Sequence, residues 1–111
     1  MSSSIGNITI DTTDLAGATA FWQQVTGYAV GSSDESTAYL EDPAKSGVGL
    51  SLQNVPEPRV GKNRVHLDLF TSDLDGEVGR LQGLGAAEVA RHDGWVVLAD
   101  TDGNQFCVVA G

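Results

Sequence analysis

The sequence predicts an α+β fold made of two tandem βαβββ modules. One strand pattern, one amphipathic helix pattern and three short strand patterns follow each other twice along the chain. A shift of 59 residues superposes the two halves, because Asp14 and Gly17 then coincide with Asp73 and Gly76. Half of a 111-residue chain buries too little apolar surface to fold alone. We therefore expect the modules to pack together as one compact domain, or each to pair with a partner chain.

The first module is expected over residues 1–54. Alternating apolar residues predict a first strand over residues 4–11. Thr13 or Asp14 can cap the following helix, whose apolar residues recur at helical spacing from Leu15 to Val25, and Gly27 is placed to end it. Three short strands separated by turn residues follow, over residues 28–30, 37–40 and 48–53.

A linker is predicted over residues 55–63, because Pro56, Pro58 and Gly61 cannot continue a central strand. The second module, over residues 64–111, repeats the order of the first. Its elements are a strand over 64–71, a cap at Ser72 or Asp73, a helix over 74–84, a stop at Gly85 and strands over 86–91, 95–99 and 105–109.

Composition argues against several classes of function. Six Lys and Arg against fifteen Asp and Glu give a formal net charge of −9, so phosphate backbones and anionic lipids are repelled. We expect neither a nucleic-acid nor a membrane partner, since the longest apolar run, Trp95 to Ala99, is far below the roughly 18 residues of a membrane span. The single cysteine, Cys107, cannot form an intrachain disulfide, and no signal-peptide pattern is present, so a cytoplasmic location is expected.

Polar residues alternate along the strand predicted over residues 64–71. Arg64, His66 and Asp68 share one face with Phe70, because alternate residues of a strand point the same way. Polar groups seldom face a dry core, so we expect a polar patch in a cavity or at its rim. Asp68 could orient His66 as a helper orients a base, or could form a plain ion pair with Arg64.

Two further features concern a ligand. Arg59, Lys62 and Arg64 are half of the basic residues of this acidic chain, and they favour either an anionic ligand or a solvated linker. Tyr39 and Trp95 lie on corresponding central strands, where they could form an aromatic wall for a planar ligand.

Three segments carry a family resemblance. They are Asp14-Leu15 with Ala20-Phe21-Trp22 and Gly27, then residues 61–69, and then residues 100–107. In these segments the chain resembles the vicinal oxygen chelate superfamily of glyoxalase I, bleomycin-resistance proteins and extradiol dioxygenases, and most of all its small glyoxalase-like domains. The resemblance implies a curved mixed sheet around a cavity, with the helices outside, and it implies a homodimer.

The resemblance also implies where a metal would bind. In metal-dependent members, ligands come from the first and last strand of each module, and the matching positions here are Asn7, Gln53, His66 and Cys107. Ser51 shares a strand face with Gln53 and could take its position. Only His66 is a ligand of the kind that Zn²⁺, Ni²⁺, Mn²⁺ or Fe²⁺ prefers, because the amides are weak donors and Cys107 must lose a proton. A catalytic metal is therefore not favoured.

Two hypotheses follow for the function. The favoured one is a protein similar to bleomycin-resistance proteins that binds a small organic molecule without a catalytic metal. The residues expected to contact that ligand are Asn7, Tyr39, Gln53, Arg64, His66, Asp68, Trp95 and Cys107. The alternative is a metal-dependent lyase, isomerase or dioxygenase. Metal-free catalysis with His66 as general base is a third possibility.

Overall fold

The computed structural model describes residue 2 and residues 5–111, which form two compact units. The first unit ends at Pro58 and contains β1 (Asn7–Thr12), α1 (Leu15–Thr26), β2 (Ala29–Ser33), β3 (Thr37–Glu41) and β4 (Gly49–Asn54). The second unit, Arg59–Gly111, contains β5 (Asp68–Thr71), α2 (Leu74–Gly83), β6 (Ala87–His92), β7 (Trp95–Ala99) and β8 (Gln105–Ala110). The α+β class and the βαβββ order of both modules are confirmed. The expected start of the first strand at residue 4 lies outside the described residues.

Each unit is built on one four-stranded mixed sheet. The strand orders β1-β4-β3-β2 and β5-β8-β7-β6 are equivalent, with β1 parallel to β4, β5 parallel to β8 and the other pairs antiparallel. The register even shifts at the same place, between Val30 and Ser32 on β2 and between Glu88 and Ala90 on β6. The internal duplication seen in the sequence therefore extends to a shared bulge in the sheet.

In the first unit, α1 supplies the buried side chains that cover one face of the sheet. Ala18, Phe21, Trp22 and Val25 recur at the spacing of one helix face, and all four are buried. The rings of Phe21 and Trp22 meet edge to face, with centroids 5.3 Å apart. Both aromatic residues therefore belong to the core of the first unit.

The second unit follows the same plan. Val78 and Leu81 of α2 are buried, as are Val96 and Leu98 of β7 and Val108 of β8. Because side chains alternate along a strand, the residues between them on β7 and β8 point to the opposite face of the sheet. That second face includes Val97 and Cys107.

The two helices begin in the same way. Asp14 and Asp73 are the N-caps, with φ of −137° at both, and their carboxylates accept hydrogen bonds from the backbone N–H of Gly17 and Gly76. At the other end, Gly27 closes α1 in the left-handed conformation, as expected. With 12 and 10 residues, neither described helix is long enough to cross a membrane.

The strand predicted over residues 64–71 is shorter than expected, and this corrects the prediction for its first residues. β5 begins only at Asp68, because the Asn63 side chain takes the backbone groups of Gln105 that a longer strand would need. Asn63 Oδ1 accepts from Gln105 N at 2.7 Å, and Asn63 Nδ2 donates to Gln105 O at 2.9 Å. Arg64 and His66 therefore lie in a loop, where Val65 is 78% exposed, and not on a strand face.

The caps generate a prediction about glycine in α2. A Cβ at Gly76 would lie 2.7 Å from Cγ of Asp73 and would displace the capping carboxylate, whereas a Cβ at Gly79 would meet nothing within 4 Å. Gly79→Ala should therefore raise the free energy of unfolding by about 0.5–1 kcal/mol through helix propensity, and Gly76→Ala should give no such gain. Asp73→Ala should cost about 1 kcal/mol.

Urea denaturation of the single and double variants checks this. In the Asp73→Ala background the carboxylate is gone, so Gly76→Ala should become as stabilising as Gly79→Ala. Equal stabilisation by both glycine substitutions in the otherwise unchanged chain would contradict the role of the cap.

Candidate functional site

A cleft of about 310 Å³ lies on the second unit. Its floor is formed by Val97 of β7 and by Gln105 and Cys107 of β8, which alternate with the buried core residues of those strands. Val97 and Cys107 are direct partners in the β7–β8 ladder. A short stretch of apolar surface thus runs along the centre of the cleft.

One end of the cleft is formed by the loop before β5. The hydrogen bonds from Asn63 to Gln105 attach this loop to the start of β8, and they bring Lys62 and His66 into the lining. His66 Nε2 lies 3.0 Å from the backbone oxygen of Asn63. The loop therefore supplies two nitrogen-bearing side chains to the Gln105 end, and both are exposed to solvent.

The other end is formed by an aromatic pair. His92 and Trp95 flank the two-residue turn Asp93-Gly94 and are direct partners in the β6–β7 ladder, with Gly94 at φ 87°. Their rings stack with centroids 4.0 Å apart and an angle of 15° between the planes. Trp95 is 38% exposed, so much of this pair remains accessible to a ligand.

Cys107 holds its proton more firmly than an ordinary cysteine. Burial raises the pKa of its thiol, and the negative charge of neighbouring Asp68 raises it further, while Lys62 opposes the shift. The thiol also donates a hydrogen bond to the Asp68 carboxylate, which favours the neutral form. At neutral pH the floor of the cleft therefore carries an uncharged thiol.

The first unit treats the equivalent positions differently. Ser51 pairs with Thr9 as Cys107 pairs with Asp68, so Ser51 and not Gln53 occupies the position equivalent to Cys107. Asn7 Nδ2 donates to Ser51 Oγ at 2.8 Å.

Tyr39 stands at the position equivalent to Val97, since it pairs with Ser51. Its ring covers Gly49, where an added Cβ would lie 2.6 Å from the tyrosine hydroxyl. A large ring over a glycine thus fills space that Val97 and Gln105 leave open in the second unit.

The structure brings together only part of the predicted site. His66, Trp95 and Cys107 line the cleft, and Asp68 touches it through the Cys107 thiol. Arg64 is an exposed loop residue outside the lining. Asn7, Tyr39 and Gln53 belong to the first unit. In this arrangement His66 Nε2 lies 3.0 Å from the backbone oxygen of Asn63, and the Asp68 carboxylate acts on the Cys107 thiol; the roles expected of Asp68 toward His66 and Arg64 stay predictions.

The predicted ligand contacts did not include seven of the residues that line the cleft, namely Lys62, Val89, Ala90, His92, Val97, Gln105 and Phe106. For His92 a signal was available, because an Asp-Gly pair between strands indicates a two-residue hairpin whose flanking residues face each other. For Lys62 the basic cluster with Arg59 and Arg64 was a signal, but its place beside β8 depends on the contacts of Asn63 with Gln105, which the sequence does not show.

The residues at the family's metal positions do not suit a hard divalent ion. Among residues 2 and 5–111, no group of three or more His, Cys, Asp or Glu side chains is arranged to hold a metal. Asn7 and Ser51 are neutral and bonded to each other, and the thiol of Cys107 is kept protonated. Only His66 remains as a ligand of the usual kind.

Solved structures similar to this chain have the same fold. An enzyme of the glyoxalase/bleomycin resistance protein/dioxygenase family from Burkholderia phytofirmans PsJN superposes with a TM-score of 0.80 at 17% identity, covering 97% of this chain and 98% of that one. The fosfomycin resistance protein FosX from Listeria monocytogenes, as a point mutant complexed with Mn(II) and 1S,2S-dihydroxypropylphosphonic acid, gives 0.78 at 21% identity, covering 100% and 92%. A possible glyoxalase from Bacillus cereus gives 0.74 at 17% identity, covering 97% and 99%.

The sequence itself matches a known domain family. The family model described as a glyoxalase-like domain matches residues 7–109, which is nearly the whole chain. No curated protein gives a significant match. The resemblance inferred from the sequence motifs is confirmed by the domain match and by the shared fold. The chain belongs to the glyoxalase-like domain family.

Proposed function

We propose that this protein binds a small organic molecule in the cleft of its second unit, without a catalytic metal. The observation that carries the proposal is the composition of the cleft. An apolar floor at Val97 lies between the stacked rings of His92 and Trp95 at one end and polar groups at the other. Binding sites for small molecules combine these features, a mostly apolar surface with a few convergent polar groups.

The chemistry of the available donors supports the metal-free part of the proposal. A catalytic zinc, manganese or iron site uses at least three imidazole, carboxylate or thiolate ligands. Here the serine and the asparagine of the first unit bond each other, and the Asp68 carboxylate accepts from the Cys107 thiol. Metal binding at Cys107 would have to remove a proton that Asp68 and burial both retain.

His66 retains a possible catalytic part in this proposal. It is the imidazole at the polar end of the cleft, where it could act as a general base on a bound molecule. The expected homodimer and cytoplasmic location stay predictions.

The first prediction concerns metal content. The untagged protein, incubated with Zn²⁺, Ni²⁺, Mn²⁺ or Fe²⁺ and then desalted, should retain far less than one metal per chain by elemental analysis, because it offers one good ligand. His66→Ala serves as the matched variant and should give the same low values. One metal per chain that disappears in His66→Ala would overturn the metal-free proposal and favour a metal-dependent lyase, isomerase or dioxygenase.

The second prediction replaces two residues of the cleft by the residue types that stand at the equivalent positions of the first unit. In Val97→Tyr/Gln105→Gly, a tyrosine ring should cover a glycine as Tyr39 covers Gly49, and the cleft should close. In a ¹H–¹⁵N NMR screen of small aromatic molecules, hits should shift the amides of β6, β7 and β8 in the unchanged protein. These shifts should be lost in the double variant.

Val48→Tyr is the control for the second prediction. Val48 is an exposed loop residue of the first unit, so this variant introduces the same ring outside the cleft and should bind like the unchanged protein. Ligand shifts that survive in the double variant, or that map to other strands, would contradict the assignment of the cleft.

The third prediction concerns the reactivity of Cys107. Only the thiolate is alkylated, and the raised pKa of Cys107 keeps the thiolate fraction below that of a free cysteine at pH 8. Asp68→Asn removes the charge that raises the pKa, so the pH midpoint of iodoacetamide alkylation should fall. Lys62→Gln removes the opposing charge, so the midpoint should rise. Midpoints that do not move in opposite directions would contradict the electrostatic coupling described for the floor.

A further inference from the structure

We infer that the ligand of this cleft is a flat aromatic molecule with one anionic group, held with its ring at the His92–Trp95 end and its anion at the Lys62–His66 end. The inference rests on the proposed function, since it assigns a chemical class and an orientation to the molecule bound there. It follows from the charges of the lining, from the distance between its two ends and from the character of the floor.

The lining of the cleft lacks the acidic side chains that predominate among the charged residues of this protein. The chain carries a formal net charge of −9, yet no Asp or Glu is among the described residues that line the cleft. The lining instead includes both histidines of the sequence and one of its two lysines. Histidine can gain a proton near neutral pH, and lysine is charged. Because Lys62 and His66 lie together at the Gln105 end, while His92 is stacked on Trp95, anions are attracted to the Lys62–His66 end.

The acidic groups around the cleft are already engaged or stand outside it. Asp68 on β5 accepts a hydrogen bond from the thiol of Cys107. Arg91 on β6 pairs with Asp75 and Glu88, at 3.1 and 2.8 Å. Asp93 lies in the exposed turn between β6 and β7. Asp68 is thus the acidic side chain that opposes a bound anion, and this provides a test of the sign of the effect.

The two ends of the cleft are separated by a length of strand. Trp95 pairs with Val109, while the loop that carries Lys62 and His66 is attached at Gln105. Gln105 and Val109 are four positions apart on β8, which corresponds to about 13 Å at roughly 3.3 Å per residue. A ring system with a directly attached acidic group spans most of that distance, and a volume of about 310 Å³ limits the ligand to a small one.

The floor between the two ends favours an uncharged, flat body. Val97 offers an apolar surface, and Cys107 presents a thiol that adds no negative charge in its protonated form. The stacked pair of His92 and Trp95 provides an aromatic surface on which a further ring can stack. An anion placed at this end would lose that stacking, so the orientation follows from the composition of each end.

The test compares three probes by ¹H–¹⁵N NMR titration at low ionic strength. The probes are 2-naphthoate, its neutral isostere 2-naphthamide, and cyclohexanecarboxylate, which is anionic but has no aromatic ring. We expect 2-naphthoate to bind most tightly, with amide shifts at β6–β8 and in the loop before β5. Added NaCl should weaken the binding of 2-naphthoate and leave that of 2-naphthamide nearly unchanged, because only 2-naphthoate is held by charge.

Charge variants test the anionic end. Lys62→Gln should raise the Kd of 2-naphthoate about fivefold, the scale of an exposed ion pair, and should leave that of 2-naphthamide unchanged. Lys45→Gln is the matched control, because it removes the same charge from an exposed side chain of the first unit. Asp68→Asn should lower the Kd of 2-naphthoate, because it removes the negative charge that opposes the bound anion.

Trp95→Leu tests the aromatic end. It should weaken the binding of both naphthalene probes, because the ring of Trp95 can no longer stack on them. The binding of cyclohexanecarboxylate should change little, because the cationic side chains remain. Preserved dispersion of the NMR spectrum shows that the variant is folded.

The outcomes separate this inference from the proposed function. If 2-naphthamide or cyclohexanecarboxylate binds the cleft as well as 2-naphthoate does, the aromatic-anion assignment is wrong and the cleft remains a binding site. Equal effects of Lys62→Gln and Lys45→Gln would also overturn it, because attraction would then come from net charge alone. If every probe that binds shifts only amides outside the cleft, the proposed function itself is wrong.

Discussion

Each sheet of this protein must bury one face beneath a single helix, and this constraint determines where function can be placed. The residues that satisfy it, such as Trp22 in the first unit and Leu81 in the second, are almost wholly buried. Because side chains alternate along a strand, every core residue of β7 and β8 leaves a neighbour pointing to the other face. The floor of the cleft in the second unit is made of those neighbours, so the buried core lies directly behind it.

The two units share one architecture but differ on the sheet face that carries the cleft in the second unit. They share strand order, capping carboxylates and the position of a bulge. Their functional faces differ because Tyr39 lies over Gly49 in one, while Val97 lies beside Gln105 in the other. A tyrosine beside a glycine fills the surface with a ring, whereas a valine beside a glutamine leaves space above the sheet.

A fold shared with a structure that contains Mn(II) does not by itself give this chain a metal. The positions that could supply ligands hold Asn7, Ser51, His66 and Cys107, and the pairing register identifies Ser51 by its equivalence to Cys107. A thiol that stays protonated beside a carboxylate is a poor ligand at neutral pH. The same thiol is compatible with a floor on which an uncharged part of a ligand rests.

The βαβββ order of both modules could be predicted from the residues, because the information needed was local and repeated. Both helices and the order of the strands along the chain could be predicted from the apolar spacing, from the capping residues Asp14 and Asp73 and from Gly27 at the end of α1. The start of β5 could not be predicted, because alternation continues to residue 64 while Asn63 occupies the backbone of Gln105, 42 residues away. That contact, which only the tertiary structure shows, moved His66 from a strand into a loop. It also brought Lys62 to the same cleft as His92, since side chains distant in sequence meet only after the sheet has paired.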